Sequence, residues 1–270
     1  MNLLKALKRC LVISLMFMAT RASADGGILP ETRKWVVDGV QREALVYHPA
    51  VKASLTAAPL VFAFHGHGGN MRQASRTFAF HREWPEAVVV YPQGLKTPGK
   101  LTDPEGRRSG WQAAAGAQGD RDLAFFDAML ATLRSQGGID EKQIYATGHS
   151  NGGGFTYLLW AERAEVFAAF APVAATLSAG VRPATPKPVM HTAGKADEMV
   201  KFAWQERTME FVRNLNACGE GVAWSADAAC ISYASEKGAP VVTFVHEGGH
   251  KYPAEAPSRI VIFFKQNQQP

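Results

Sequence analysis

Cysteine is scarce in this chain, three in 270 residues, so a disulfide-dense small scaffold is excluded. The two later cysteines, Cys218 and Cys230, have no nearby pair of histidines to complete four zinc ligands, which argues against a structural zinc module. Long apolar runs are equally scarce, and beyond residue 24 nothing approaches the roughly 20 apolar residues of a membrane-spanning helix. Periodicity is missing as well. The 25 Gly and 15 Pro fall between apolar runs without a repeat, which excludes collagen-like chains and solenoids. What is present is the composition of a folded domain, with 47% hydrophobic and 20% charged residues. The many short Gly- and Pro-containing connections suit one compact unit.

The charge balance needs to be read by position. A net charge of +5 and a pI of 9.1 would by themselves suggest nucleic acid or acidic lipid as partner. Residues 1–24, however, carry Lys5, Lys8, Arg9 and Arg21 and no acid. An apolar run from Leu11 to Ala19 follows the basic cluster, and Ala22-Ser23-Ala24 is a small-x-small sequence. This is the pattern of a secretory signal peptide over residues 1–24, with cleavage after Ala24 and residues 25–270 as the mature domain. Without those four positive charges the remainder is close to neutral. The expectation is therefore a secreted protein, extracellular or periplasmic, with no nucleic-acid partner and no stable membrane association after cleavage. In an oxidising compartment, Cys218 and Cys230 read as one disulfide closing a loop of about 13 residues, two free buried thiols being the other reading.

The remaining pattern alternates strands and helices. Lys34–Val37 and Val40–Tyr47, joined by Asp38-Gly39, read as a hairpin at a sheet edge. Leu60–Phe64 and Ala87–Tyr91 are unbroken apolar runs, as in parallel strands covered on both faces. Leu123, Phe126, Leu130 and Leu133 share one helical face, with Asp120 or Asp122 as the start and Gly137-Gly138 as the stop. The alternation continues with strands at Gln143–Thr147, Phe167–Val173, Val189–Thr192 and Val241–Val245, and with helices at Phe155–Trp160 and Phe202–Leu215. The expected class is α/β, a mostly parallel central sheet with helices on both faces. In such sheets ligands sit at the carboxyl ends of the strands.

The residues with chemical potential lie in those loops. Gly148-His149-Ser150-Asn151-Gly152 falls between a strand and a helix, where glycines two residues on either side accommodate a sharp turn that lifts a serine hydroxyl clear of the sheet. A serine nucleophile needs a base, and the base needs an orienting acid. In the expected chain order, serine then acid then histidine, His250 in the loop after the last strand is the best base. His191 and His246, in or closing strands, read as structural. Asp197 is the acid favoured by its strand-end loop, with Glu198 as runner-up, and Asp227 is expected to face solvent. The oxyanion would be held by the backbone N–H of Asn151 and by that of His67, in the Gly-rich loop His65–Asn70. No acid or cysteine clusters with His65 and His67, so the reading is no metal and no cofactor. Trp111, His149 and Phe155 are candidates for lining an aromatic-tolerant substrate cleft, core packing being the role also open to Trp111 and Phe155.

Phe64-His65-Gly66-His67-Gly68-Gly69, Tyr91-Pro92-Gln93-Gly94, Gly148-His149-Ser150-Asn151-Gly152-Gly153, Gly194-Lys195-Ala196-Asp197 and Gly249-His250-Lys251-Tyr252-Pro253 occur in that order. From about Trp35 to Phe264 the chain resembles the secreted esterases grouped as polyhydroxybutyrate depolymerase-like and feruloyl esterase-like. The resemblance implies the α/β-hydrolase fold and a Ser150–Asp197–His250 triad. It also implies that Gly110-Trp111-Gln112 lies near the acyl-binding side, and that Asp122 matches a family Asp, read here as a helix-start or loop-tethering residue. Tyr252, where a Trp is frequent, and Lys201-Phe202, where Pro precedes an aromatic, depart from the family and bear on substrate preference.

The expected activity is hydrolysis of small or oligomeric esters, feruloyl-type or hydroxyalkanoate, through an acyl-enzyme. The alternatives are a peptidase of the same fold and a non-catalytic polymer- or carbohydrate-binding protein on a hydrolase scaffold.

Overall fold

The computed structural model describes residues 29–49 and 57–269; the expected export signal lies outside them. Strands β1 (Glu31–Val37) and β2 (Val40–Tyr47) form the expected hairpin. Asp38 and Gly39 at its tip have φ of 49° and 78°, as a two-residue turn matched to strand twist requires. Strands β3 (Ala58–Phe64) and β4 (Val88–Pro92) are buried along their whole length and run parallel. Between them lie helix α1 (Met71–Phe78), whose N-cap Asn70 accepts the Gln73 N–H, and the short α2 (Phe80–Glu83). A small ribbon, β5 (Leu95–Lys96) with β6 (Ser109–Gly110), leads into α3 (Arg121–Gln136), β7 (Ile139–His149) and α4 (Asn151–Arg163). Then follow β8 (Ala169–Val173), β9 (Val189–Gly194), α5 (Phe202–Leu215), β10 (Cys218–Trp224), β11 (Asp227–Ser235), β12 (Val241–His246) and α6 (Ala256–Gln266).

The main sheet has the order β1-β2-β4-β3-β7-β8-β9-β12-β11-β10. The strands from β4 through β12 in that order are mutually parallel, and an antiparallel pair closes each end. Because successive side chains on a strand point to opposite faces, Phe62 and Phe64 enter one core with α3, α4 and α5, while Val61 and Ala63 enter the other with α1 and α6. All the parallel strands therefore deliver their carboxyl ends to one edge.

Helix α3 starts directly after Asp120, as expected, and Asp122 has the tethering role read for it; the disulfide and the solvent-facing Asp227 are corrected. Asp120 precedes α3 but does not cap it; its carboxylate accepts the Gly116 N–H and a Gln112 side-chain N–H instead. Asp122 is buried against Arg42, 2.8 Å away, and accepts the Gln112 N–H, so it tethers the Gly110–Gln112 segment to the start of α3. The residues around the two cysteines form the β10–β11 hairpin rather than a disulfide loop, and both thiols are free. Cys218 pairs across with Ser235 while Cys230 lies beyond the Ala223–Ile231 pair. At about 3.3 Å per residue this puts the two well over 10 Å apart along the hairpin. They also face opposite sides of the sheet, Cys218 against the α3–α5 core and Cys230 within the α1–α6 core. A disulfide needs Cα atoms within about 7 Å. Asp227 does not simply face solvent but pairs with Arg259 at 2.6 Å.

Candidate active site

Ser150 sits at the junction of β7 and α4 with φ 55° and ψ −118°, a conformation that L-residues adopt only when their surroundings impose it. The imposition is steric and local. A Cβ on Gly148 would collide with the Gly152 carbonyl, and one on Gly152 would collide with the Phe64 carbonyl and lie 2.6 Å from the His65 oxygen. The turn can thus close only with glycine at both positions. The Ser150 N–H is held by the Val173 carbonyl at 2.9 Å. The hydroxyl is left above the sheet edge, over the positive end of the 13-residue helix α4.

Two other strand-end loops meet it. The Ser150 hydroxyl donates to His250 Nε2 at 2.8 Å, and His250 Nδ1–H donates to Asp197 Oδ2 at 2.8 Å. Asp197 follows β9 and is 4% exposed; its Oδ1 accepts the Met199 and Val200 N–H groups at 3.0 and 2.8 Å. Glu198, the other candidate acid, is exposed. The loops after β9 and β12 are stitched together, Lys195 N–H to the His246 carbonyl at 2.8 Å and Ala196 N–H to the Gly248 carbonyl at 3.1 Å. The arrangement can draw a proton from the Ser150 hydroxyl onto His250 and stabilise the resulting imidazolium with the carboxylate.

The Asp197 carboxylate has a support that gave no sequence signal. Gln205 on α5, fully buried, donates to Asp197 Oδ2 at 3.1 Å and accepts from His191 Nε2–H at 3.3 Å, and the Tyr157 hydroxyl donates to His191 Nδ1 at 2.7 Å. Burial pushes His191 down to about 4, so it is neutral and serves as a structural link, in keeping with its place inside a strand. His246 is likewise structural, its Nδ1 accepting the Gly248 N–H.

The Gly-rich loop after β3 passes over the serine: a Cβ on Gly66 would come within 3.5 Å of Ser150 Cβ. His65 and His67 do not converge. His65 Nδ1–H donates to the Gly66 carbonyl and its Nε2 accepts the Gly94 N–H, while His67 Nε2–H donates to the Thr97 carbonyl and its Nδ1 accepts the Thr102 hydroxyl. Burial lowers His65 to about 4. The backbone N–H groups of Asn151 and His67 have no protein acceptor among the described residues.

Trp111 is placed in the core, correcting its assignment to the cleft. It is 1% exposed, stacked on Phe155 at 5.4 Å and edge-on to Phe64 at 5.1 Å. Its polar atoms act as a brace. The indole N–H donates to the His65 carbonyl at 2.8 Å, and its backbone N–H and carbonyl hold both ends of the Asn151 side-chain amide at 2.7 and 3.0 Å. It therefore ties the loop before Ser150's cleft to the residue after Ser150. Phe155 is buried with it. His149 does line the cleft; its Nε2–H donates to the His250 carbonyl at 2.7 Å, and burial, with the neighbouring His250 adding to it, lowers it to about 4.

The cleft has a volume of about 560 Å³ and lies between the His65–Gly69 loop, α1 and the His250–Tyr252 segment. Tyr252 packs on Phe78 at 4.4 Å and against His149 at 5.7 Å, giving it an aromatic wall.

A mostly parallel sheet with helices on both faces, and a sharp strand-to-helix turn at its carboxyl edge, make this an α/β-hydrolase fold. Solved structures agree: a ferulic acid esterase superposes with a TM-score of 0.63 over 89% of this chain and 99% of its own, at 14% identity. An acetyl xylan esterase from Aspergillus awamori gives 0.61 over 87% and 99%, also at 14% identity. In sequence, the chain resembles feruloyl and acetylxylan esterases. It is 29% identical over 168 residues to a probable feruloyl esterase C of Aspergillus clavatus, covering 61% of this chain and 56% of that one. It is 28% identical over 183 residues to a bifunctional acetylxylan esterase/xylanase of Neocallimastix patriciarum, covering 67% and 25%. It is 30% identical over 179 residues to a putative esterase of Nocardia uniformis, covering 63% and 49%. The matched region thus spans between a quarter and little more than half of these relatives' length. No protein-family profile matches the chain.

Proposed function

We propose that the chain is a serine carboxylesterase. The observation that carries this reading is the continuous hydrogen-bonded series Ser150–His250–Asp197, with both links at 2.8 Å, at the mouth of the cleft. Ser150 attacks the ester carbonyl while His250 takes its proton, and Asp197 holds the ring and balances its charge. The oxyanion is received by the N–H groups of Asn151 and His67, which the Trp111 brace holds in fixed relation. Collapse of the tetrahedral adduct, with His250 protonating the alcohol, leaves an acyl-Ser150. Water activated by His250 then hydrolyses it. Loss of one oxyanion donor costs about 10²–10³ in rate at comparable sites. No metal or cofactor enters the scheme.

The feruloyl esterase names among the relatives and the aromatic wall formed by Phe78, His149 and Tyr252 favour small or oligomeric esters of the feruloyl type, with hydroxyalkanoate esters as the alternative. Residues 1–24 are proposed as a secretion signal, with residues 25–270 as the catalytic domain acting outside the cytoplasm; among the described residues no helix is long and apolar enough to cross a membrane. The test is Ser150→Ala. Turnover of p-nitrophenyl acetate and covalent labelling by a fluorophosphonate should both disappear with the fold intact by circular dichroism, and residual turnover at wild-type rate would overturn the assignment.

A further inference from the structure

The charged residues that line the cleft, apart from its histidines, are Arg108 and Lys251. Neither forms an ion pair among the described residues, and no Asp or Glu lines the cleft with them. Asp197, the carboxylate behind the cleft, is committed to His250, to two backbone N–H groups and to Gln205. Of the acids on the same loop, Glu105 pairs with Arg107, and Asp103 accepts the Arg108 backbone N–H at 2.7 Å, so the guanidinium is left unpaired. The two cations therefore act on whatever enters the cleft.

Their positions are built rather than incidental. The segment carrying Arg108 is fastened to the Gly-rich loop by Gly68 N–H to the Ser109 carbonyl at 2.7 Å, by the Ser109 hydroxyl to the Gly69 carbonyl at 2.5 Å, and by both nitrogens of His67. The Arg108 stem lies directly over Gly68, where an added Cβ would come within 3.3 Å of its Cδ. Arg108 thus rides on the loop that offers the oxyanion donor. Lys251 follows His250 directly, so it stands on the side of the proton donor. A substrate seated on Ser150 has one cation on each flank.

We propose that the cleft selects esters bearing a free carboxylate within reach of the scissile bond, held by Arg108 and Lys251. The inference rests on the esterase reading and specifies its substrate class: the anion of a hydroxy-acid oligomer or of a uronate is such a group, a neutral alkyl or methyl-capped ester is not. Two exposed positive charges at the rim of the cleft give roughly three- to tenfold discrimination at low salt, which falls as salt screens them.

The experiment compares kcat/KM for charged and neutral members of two matched pairs. In the first pair, 4-nitrophenyl hydrogen glutarate against 4-nitrophenyl methyl glutarate, the carboxylate is on the acyl part. In the second, 3-acetoxybutyrate against its methyl ester, it is on the alcohol. The proposal expects the anion to be preferred roughly three- to tenfold in at least one pair, and the preferred pair tells which flank is used. That preference should collapse in R108Q/K251Q and survive largely in R108K/K251R. Equal or lower activity on the anion in both pairs overturns the proposal. Should neither member of either pair be hydrolysed, the esterase reading fails on its own. Glutarate binding to Ser150→Ala, measured by calorimetry with and without R108Q/K251Q, then decides the subsite: a heat lost with the two cations supports it, and no glutarate binding overturns it.

Discussion

Strand β7 is buried without a break from Ile144 to Gly148 on its way to Ser150, whereas β10 at the sheet edge is exposed from Gly219 through Ala223. Both β10 and the turn that β7 runs into contain a glycine that another chain segment approaches closely, and the two kinds of approach differ. At Gly152 an added Cβ meets the backbone carbonyls of Phe64 and His65, which belong to a buried strand and the loop it supports. At Gly221 it meets the side-chain ends of Ile231 and Tyr233, the nearest at 2.6 Å. Backbone in a packed interior cannot give way; side-chain tips on an exposed hairpin can. The centre of the sheet is rigid where chemistry is placed, and its edge is tolerant.

The sharpest way to break this contrast is to put the same methyl group at both places. Gly152→Ala should cost about 2–4 kcal/mol in urea unfolding and remove ester turnover with it, while Gly221→Ala should stay within about 1 kcal/mol with activity retained. Comparable losses at the two sites would show that the edge is as constrained as the centre.

A second, intermediate effect follows from protonation. His65, His81, His149 and His191 are all held down to about 4 by burial, and none belongs to the β10–β11 hairpin. An unfolded chain regains histidines that titrate near 6.5. Between about pH 6.5 and 4 the unfolded state therefore binds more protons, so stability is full above pH 6.5 and is lost as pH falls toward 4, by on the order of 1–3 kcal/mol per histidine. Urea midpoints measured across that range should fall progressively, and a flat profile would contradict neutral burial of these rings.

The smallest effect belongs to the edge. With Cys218 and Cys230 free and on opposite faces of the sheet, reductant should leave the melting temperature unchanged, and a drop on adding dithiothreitol would mean that the hairpin register is not as described. Cys230, buried and raised to about 11, should also resist alkylation in the native state.

The same contrast governs how much could be read from the residues alone. Central strands announce themselves as unbroken apolar runs, and β3, β4, β9 and β12 lie where those runs fall. Helix α5 has the expected bounds, and the elbow around Ser150 was legible because glycines at fixed offsets have a steric reason. The hairpin β10–β11 was not, since Cys218-Gly219-Glu220-Gly221 carries no alternating pattern and the two cysteines invite a bridging reading that the strand pairing forbids. Helix α1 also gives little signal in the sequence, because most of its residues are polar and only Met71, Ala74, Ser75 and Phe78 turn inward. Gln205 looks like any polar residue of an amphipathic helix until α5 packs beside the Asp197 loop. Trp111 stands beside glycine in a loop, which suits a ligand contact; only the position of Phe64 and Phe155 shows that its ring is spent on packing.

The hydrogen bond from His149 to the His250 carbonyl joins positions 101 residues apart, and the links from Lys195 to His246 and from Ala196 to Gly248 depend on β12 having paired with β9. His250 follows β12, the last strand in the sequence, so under the proposed mechanism Ser150 has no base until that strand has docked beside β9. Turnover by the proposed triad would in that sense be a readout of finished folding.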